Sequence, residues 1–397
     1  MKIPITRPFF DDCEKEMIVK PLDSGWVVQG PFVNEFEKSF AAFTGSNFAV
    51  ATSNCTTALH LSLESLGLKT GDKVIVPSFT YVASANAVEY TGAEVVLCDI
   101  DLSTFNIDAN RAEELLEQDK SRSIKAIMPV HLFGLCADMP RVMALADKYG
   151  LKVVEDAACG FGAMIGGKHA GTFGDCGCFS FHPRKAITTG EGGMITTDNE
   201  ELAAKAAILR DHGASVSDLR RHSGGKGSLL PDFNVKGYNY RMTDMQGALG
   251  VCQLKKAKHI LDKRRKIAGR YDNALSDIGS ILTPHVPADY IHGYQSYVCL
   301  FTGGEDPSGL NIANVDRLNA LRNELMGILE GKGIATRQGT HAVHTLGYYR
   351  DKYGFRSEDF TTAYAADRLS VALPLYAGMT DKEFEYVVTN IKAALKQ

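Results

Sequence analysis

Between about Asn47 and Thr197, short apolar runs alternate with stretches of helical periodicity. The runs "NFAVATS", "DKVIVP", "AEVVLCD", "IKAIMPV", "LKVVED", "CGCFSF" and "GMITT" have the length and the β-branched and aromatic content of strands. "TTALHLSLESLG" and "MPRVMALADKYG", between the earlier ones, place apolar residues at helical spacing. Strands that read as apolar throughout are covered on both faces. The alternation therefore predicts an α/β fold, with a mostly parallel sheet flanked by helices. Ligands of such sheets sit at the C-terminal ends of the strands.

Beyond the last run, "EELAAKAAILR" (Glu200 to Arg210) predicts a helix, and "RRHSGGKGSLLPDF" a mobile loop. Thr243 and Gln246 form a capping box that opens a long helix. That helix runs into "KKAKHILDKRRKIAGRYDNAL", whose charges read as a solvated face rather than a nucleic-acid patch. A second capping box, Thr380 with Glu383, opens the last helix. The pattern divides the chain into a large domain with its N-terminal segment, 1–258, and a smaller C-terminal α+β domain, 259–397.

Composition narrows the partners. The 397 residues are 45% hydrophobic and 23% charged, an ordinary globular balance. A net charge of -4 offers no general basic surface for nucleic acid. No apolar run approaches the roughly 18 residues of a membrane helix, and the acidic start "MKIPITRPFFDDCEKE" has no signal core. The expectation is a cytoplasmic protein. Nine cysteines, an odd number without regular spacing, suggest no disulfide framework. Cys176 and Cys178 share one strand face and read as buried thiols; no metal site is expected.

Candidate chemistry collects at predicted strand ends. Lys185, in "SFHPRKAITTGEGG", follows one strand and precedes a glycine-rich turn that permits close approach to a ligand. It is either a solvated loop lysine or a half-buried one, whose pKa falls and whose amine becomes a nucleophile. Asp156, ending "VVED" beside Glu155, is either a ligand-site acid or a helix N-cap. The turn in "ATSNCTTALHL" either caps its helix or holds a phosphate with backbone N–H groups and the Thr56 and Thr57 hydroxyls. Tyr81, in "PSFTYVASANAV", is either core or a plate for a flat ring. A phosphate cradle, an acid, an aromatic plate and a lysine together suit pyridoxal 5'-phosphate (PLP).

Seven motifs carry a wider resemblance, in order along the chain: "SGWVVQGPFVNEFE", "PSFTYVASANAV", "PVHLFG", "VVEDAACGFGA", "SFHPRKAITTGEGG", "LRDHG" and "GYNYRMTDMQGALG". The chain resembles the DegT/DnrJ/EryC1/StrS sugar aminotransferases, PLP-dependent enzymes of aspartate aminotransferase fold type I. The resemblance implies that Lys185 forms an imine with the cofactor and that Asp156 pairs with its ring nitrogen. Tyr81 would stack on the ring. Cys55 and Thr56, through their backbone, and the Ser180 hydroxyl would hold the phosphate. Asn239 would reach the phosphate of a neighbouring subunit, making a homodimer with shared active sites. Where the family often has Gln or His against the ring hydroxyl, this chain has Cys159, a poor hydrogen-bond partner. The implied substrates are a nucleotide-linked keto sugar and glutamate, with 2-oxoglutarate and an amino sugar as products. "HPRKAITTGEGGM" resembles relatives that aminate C4 of 4-keto-6-deoxy sugars, and relatives acting at C3 share most motifs. Other relatives replace the lysine by histidine and are dehydratases; here Lys185 is kept. In "RQGTHAVHTLGYY", His341 and His344 are candidate substrate contacts or structural histidines.

Overall fold

The computed structural model describes residues 1–216, 219 and 230–395. Most of the expected mobile loop, 220–229, lies outside the described residues. All seven apolar runs become strands of one sheet: β1 (Phe48–Thr52), β2 (Lys73–Pro77), β3 (Glu94–Cys98), β4 (Ile124–Ile127), β5 (Lys152–Asp156), β6 (Cys176–Ser180) and β7 (Gly193–Thr197). Their order is β1-β7-β6-β5-β4-β2-β3. Pairing is parallel from β6 to β3, whereas β7 runs antiparallel to both β6 and β1.

Successive side chains of a strand leave on opposite faces. Val74 and Val76 of β2, with Val154 of β5, enter a core shared with Leu59, Leu61 and Leu63 of the helix Cys55–Leu66. Ile75 and Val153 enter the opposite core, against Val142 and Leu145 of the helix Met139–Tyr149. Burial on both faces is why these strands are apolar throughout.

A second, antiparallel sheet has the order β8 (Ile281–Leu282), β9 (Tyr297–Phe301) and β10 (Ser370–Leu373). It packs with Leu318 and Leu325 of the helix Ile312–Gly331 and with Val387 and Ile391 of the helix Asp381–Ala394. Ile3, Phe79, Phe105 and Phe133 join this core from the first part of the chain. Both capping boxes form as expected.

Three expectations change. The long helix from Thr243 is two helices, Asp244–Lys255 and Ala257–Leu275. The chain turns at Lys256 (ψ -1°), whose ammonium is tied to Glu14 and Asp11. The charged face of the second helix is not wholly solvated, because Arg264 is only 2% exposed. One disulfide forms, Cys13–Cys252. The helix Asp12–Ser24 packs on Asp244–Lys255 and brings two cysteines 239 positions apart to a Cα–Cα distance of 6.0 Å, which spacing along the chain does not reveal. The other seven cysteines are free; among them Cys176 and Cys178 are buried, with Cys178 Sγ 3.2 Å from the Ser62 hydroxyl. Among the described residues no helix is long and apolar enough to cross a membrane.

Candidate active site

The C-terminal ends of β5 and β6 lie side by side, with Asp156 paired to Cys178. Asp156 is buried, and both its oxygens are fixed. The Ser84 hydroxyl donates to Oδ2 at 2.7 Å, and the Ala158 N–H donates to Oδ1 at 3.0 Å. A turn follows rather than a helix, so Asp156 is not a helix N-cap. Its neighbour Glu155 points the other way. It accepts N–H groups from Gly171, Phe173 and Gly174, and a hydrogen bond from His131 at 2.8 Å. The Ala137 N–H occupies His131 Nδ1, so the ring proton is on Nε2, facing Glu155. Glu155 is thereby a structural clamp.

Ser84 also ties Asp156 to the end of β2. Its hydroxyl lies 2.9 Å from that of Thr80 and 3.2 Å from the Tyr81 carbonyl. Tyr81 itself is 64% exposed, which removes the core alternative for its ring.

At the end of β1 the chain enters the helix Cys55–Leu66. Asn54 caps it, taking the Thr57 N–H at 2.9 Å, while the Thr57 hydroxyl donates back to the Asn54 carbonyl at 2.7 Å. Thr57 is therefore spent on capping and is not a phosphate ligand. Within the described residues nothing takes the N–H groups of Cys55 and Thr56 or the Thr56 hydroxyl. The Cys55 thiol turns inward to the Cys178 carbonyl at 3.5 Å, so this residue offers only its backbone. The cradle is tight: a Cβ on Gly193 of β7 would lie 2.4 Å from the Asn54 carbonyl carbon and oxygen.

Lys185 lies five residues past the end of β6. Its Nζ donates to Cys159 Sγ at 3.1 Å. Burial pulls its pKa down, but the adjacent Cys159 sulfur and the Asp156 carboxylate outweigh burial and hold it above the ordinary lysine value. The expected depression is thus reversed, because the half-buried ammonium has acceptors beside it. Ser180 keeps a partly exposed hydroxyl at the end of β6, 3.4 Å from the His182 N–H.

The remaining candidates separate. His341 is exposed, on a two-residue strand paired with Phe79–Thr80, so it stands next to the Tyr81 turn. His344 is 1% exposed against the ring of Phe360, and burial lowers its pKa to about 4. It is buried, packed against that ring. Asn239 is exposed, on a stretch bridged to Asp211, away from Lys185 in sequence and, among the described residues, without a side-chain partner of its own.

Two residues that the sequence reading missed hold this site. Ser84 lies inside a motif already singled out, one helical turn after Tyr81, and that spacing was an available signal. Gln295 contacts the backbone on both sides of Lys185 from more than a hundred residues away, with no local signal.

A helix start with two open N–H groups, a fixed carboxylate, an exposed ring and a lysine at adjoining strand ends fit PLP, and with this fold they define a fold type I aminotransferase. The chain belongs to the DegT/DnrJ/EryC1/StrS aminotransferase family, whose model matches residues 9–392, and pyridoxal 5'-phosphate is the cofactor of these enzymes. It is 37% identical to GDP-perosamine synthase of Caulobacter vibrioides over 396 residues, covering 99% of this chain and 98% of that one. It is 36% identical over 394 residues to the spore coat polysaccharide biosynthesis protein SpsC of Bacillus subtilis, covering 99% and 97%. The solved PLP form of Spr1654 from Streptococcus pneumoniae superposes with a TM-score of 0.88 at 28% identity, covering 100% of this chain and 99% of that one.

Proposed function

We propose that the protein transfers the amino group of glutamate to C4 of a nucleotide-linked 4-keto-6-deoxyhexose, releasing 2-oxoglutarate and an amino sugar. The observation that carries the sugar is the full-length likeness to GDP-perosamine synthase. Lys185, where dehydratase relatives carry histidine, supports amine transfer over loss of water.

Bound PLP supplies a ring that delocalises the electron pair left when the donor carbon loses its proton. Lys185 anchors the cofactor. With the cofactor bound, the Lys185 Nζ would move the proton at the donor carbon as general acid and base. The Asp156 carboxylate, held by Ser84 and Ala158, keeps a proton on the ring nitrogen. The Cys55 and Thr56 N–H groups, at the positive end of their helix, take the phosphate with the Thr56 and Ser180 hydroxyls. Tyr81 would cover the ring and exclude water. Cys159, against Lys185, would offer the cofactor only a weak hydrogen bond. His341, beside Tyr81, faces the sugar.

The active unit in this reading is a homodimer in which Asn239 reaches the partner's phosphate. Exposed Leu230, Phe233 and Val235 lead up to Asn239, and a second copy would cover them. Seven free cysteines fit a reducing, cytoplasmic setting, with Cys13–Cys252 as the exception.

The test is a set of GDP-, UDP- and dTDP-linked 3- and 4-keto sugars, each with glutamate and PLP, followed by mass detection. An amino sugar from a 4-keto substrate, with 2-oxoglutarate in equal amount, is expected. Amination of the 3-keto sugars alone rejects the C4 assignment. A product lighter by one water, without 2-oxoglutarate, rejects amino transfer.

A further inference from the structure

We infer that Gln295 sets the direction of Lys185 and is a positioning residue for amino transfer; this rests on the role given to Lys185 above. Gln295 ends the segment "IHGYQ" just before β9 and is 8% exposed. Its side-chain amide straddles the lysine. Oε1 accepts the Ala186 N–H at 3.0 Å, and Nε2 donates to the Arg184 carbonyl at 2.7 Å. These two groups belong to the peptide planes on either side of the Lys185 Cα. The torsions between those planes are the lysine's φ and ψ, and they aim its Cα–Cβ bond. One donor and one acceptor at this spacing are what a glutamine amide provides. An ionised glutamate provides two acceptors, and leucine provides neither.

The surroundings of Gln295 are costly in a way that plain core packing does not require. Arg264, almost wholly buried, donates to the Tyr294 carbonyl from Nε at 2.8 Å and to the Gln295 carbonyl from Nη2 at 2.6 Å. Burial lowers its pKa to about 10. Tyr294 holds a positive φ of 46°. Gly134, at φ 103°, approaches so closely that a Cβ there would lie 2.7 Å from the Gln295 nitrogen. A buried guanidinium, a left-handed tyrosine and a close glycine thus converge on one peptide, and its side chain grips the flanks of Lys185.

The rest of the loop is held independently. Thr189 N–H and the Thr188 hydroxyl both donate to the Phe181 carbonyl, and the Thr188 N–H donates to Gln253. Loss of the Gln295 grip should therefore misdirect Lys185 without melting the loop.

The test compares the PLP-loaded parent with Gln295→Leu and the nearly isosteric Gln295→Glu. It follows amide exchange at Ala186, the pH midpoint of the absorbance band of lysine-bound cofactor, and single-turnover kinetics with glutamate. In Gln295→Leu, Ala186 should exchange about tenfold faster or more while the amides of β5 and β6 stay protected. The band midpoint should move, and the single-turnover rate should fall about tenfold or more with little change in KM. Gln295→Glu keeps the acceptor, so Ala186 stays protected. The rate should nevertheless fall, because a second acceptor faces the Arg184 carbonyl, and it should recover as pH drops and the carboxyl gains a proton. If the leucine variant does not fold, the glutamate variant decides. A folded variant whose band midpoint and single-turnover rate match the parent overturns the inference. A parent in which borohydride fixes cofactor to a residue other than Lys185 overturns the reading beneath it; a parent fixed at Lys185 with an unaffected Gln295→Leu overturns this inference alone.

Discussion

At the scale of single residues, Asp156 shows how position and environment assign a role. It is a carboxylate out of water, with no cation among the described residues bonded to either oxygen and two neutral donors holding it in place. Asparagine preserves that shape: its oxygen can accept from Ala158, and the Ser84 hydroxyl can turn to accept from its amide. What asparagine removes is the charge that keeps a proton on a ring nitrogen. Asp156→Asn should therefore bind PLP within about tenfold of the parent, yet lose a hundredfold or more in the single-turnover rate with glutamate, where each tenfold is about 1.4 kcal/mol. A rate within a few-fold of the parent rejects the role. Asp156, Lys185 and Tyr81 were legible in the sequence because each stands at or near the end of an apolar run, where an α/β sheet collects its ligands. His341 and His344 were not separable there. They lie three positions apart in one short segment, and only the fold turns one outward and seals the other against Phe360.

At the scale of elements, burial on both faces writes a strand as a continuous apolar run, and all seven strands could be read from it. Direction leaves no such mark. β7 has the same apolar character as its parallel neighbours but runs against them, and that reversal brings Gly193 against the turn at Thr52–Asn54. The break at Lys256 and the Cys13–Cys252 pair were equally silent, since both arise where the N-terminal helix lies across Asp244–Lys255. The packing at Gly193 has a consequence. In Gly193→Ala the new methyl would meet backbone atoms at 2.4 Å, so β7 and the start of the helix Cys55–Leu66 must separate. Such overpacking costs about 1–3 kcal/mol of stability. It also tilts the open N–H groups of Cys55 and Thr56. The expected result is weaker PLP binding, by about tenfold or more in an equilibrium titration, together with a lowered Tm. A change in Tm with unaltered cofactor affinity would show that these amides do not hold the phosphate.

At the scale of the whole molecule, the shared-site reading has a direct check. Lys185→Ala and Asn239→Asp homodimers should each be nearly inactive, the second because its new carboxylate repels the phosphate. Refolded together in equal amounts, about half the dimers are hybrids, and in each hybrid one site holds both lesions and the other neither. About a quarter of all sites should then work. Hybrids as inactive as their parents would mean that Asn239 serves its own chain. Acid stability is a property of the molecule as well. Burial lowers His169 to about 4, His292 to about 3 and His344 to about 4, so these three enter the fold in neutral form near pH 7. In the unfolded chain each takes up a proton near pH 6.5, whereas in the folded chain each waits for its lowered value. Between those limits the unfolded state binds more protons, so stability is fully present above about pH 6.5 and drains away as pH falls toward 4 and then 3. Each histidine contributes a slope of up to about 1.4 kcal/mol per pH unit within its window. His344 offers the cleanest separation, because neither of its ring nitrogens has a hydrogen-bond partner among the described residues. Replacing it with leucine removes an unsatisfied buried polar group and one of the three proton sites. His344→Leu should therefore be about as stable as the parent at pH 7.5 and visibly more stable at pH 5, with denaturant midpoints compared at both, and its turnover should not change. An unaltered pH slope would show that His344 does not titrate on unfolding, and a loss of turnover would return it to the substrate site.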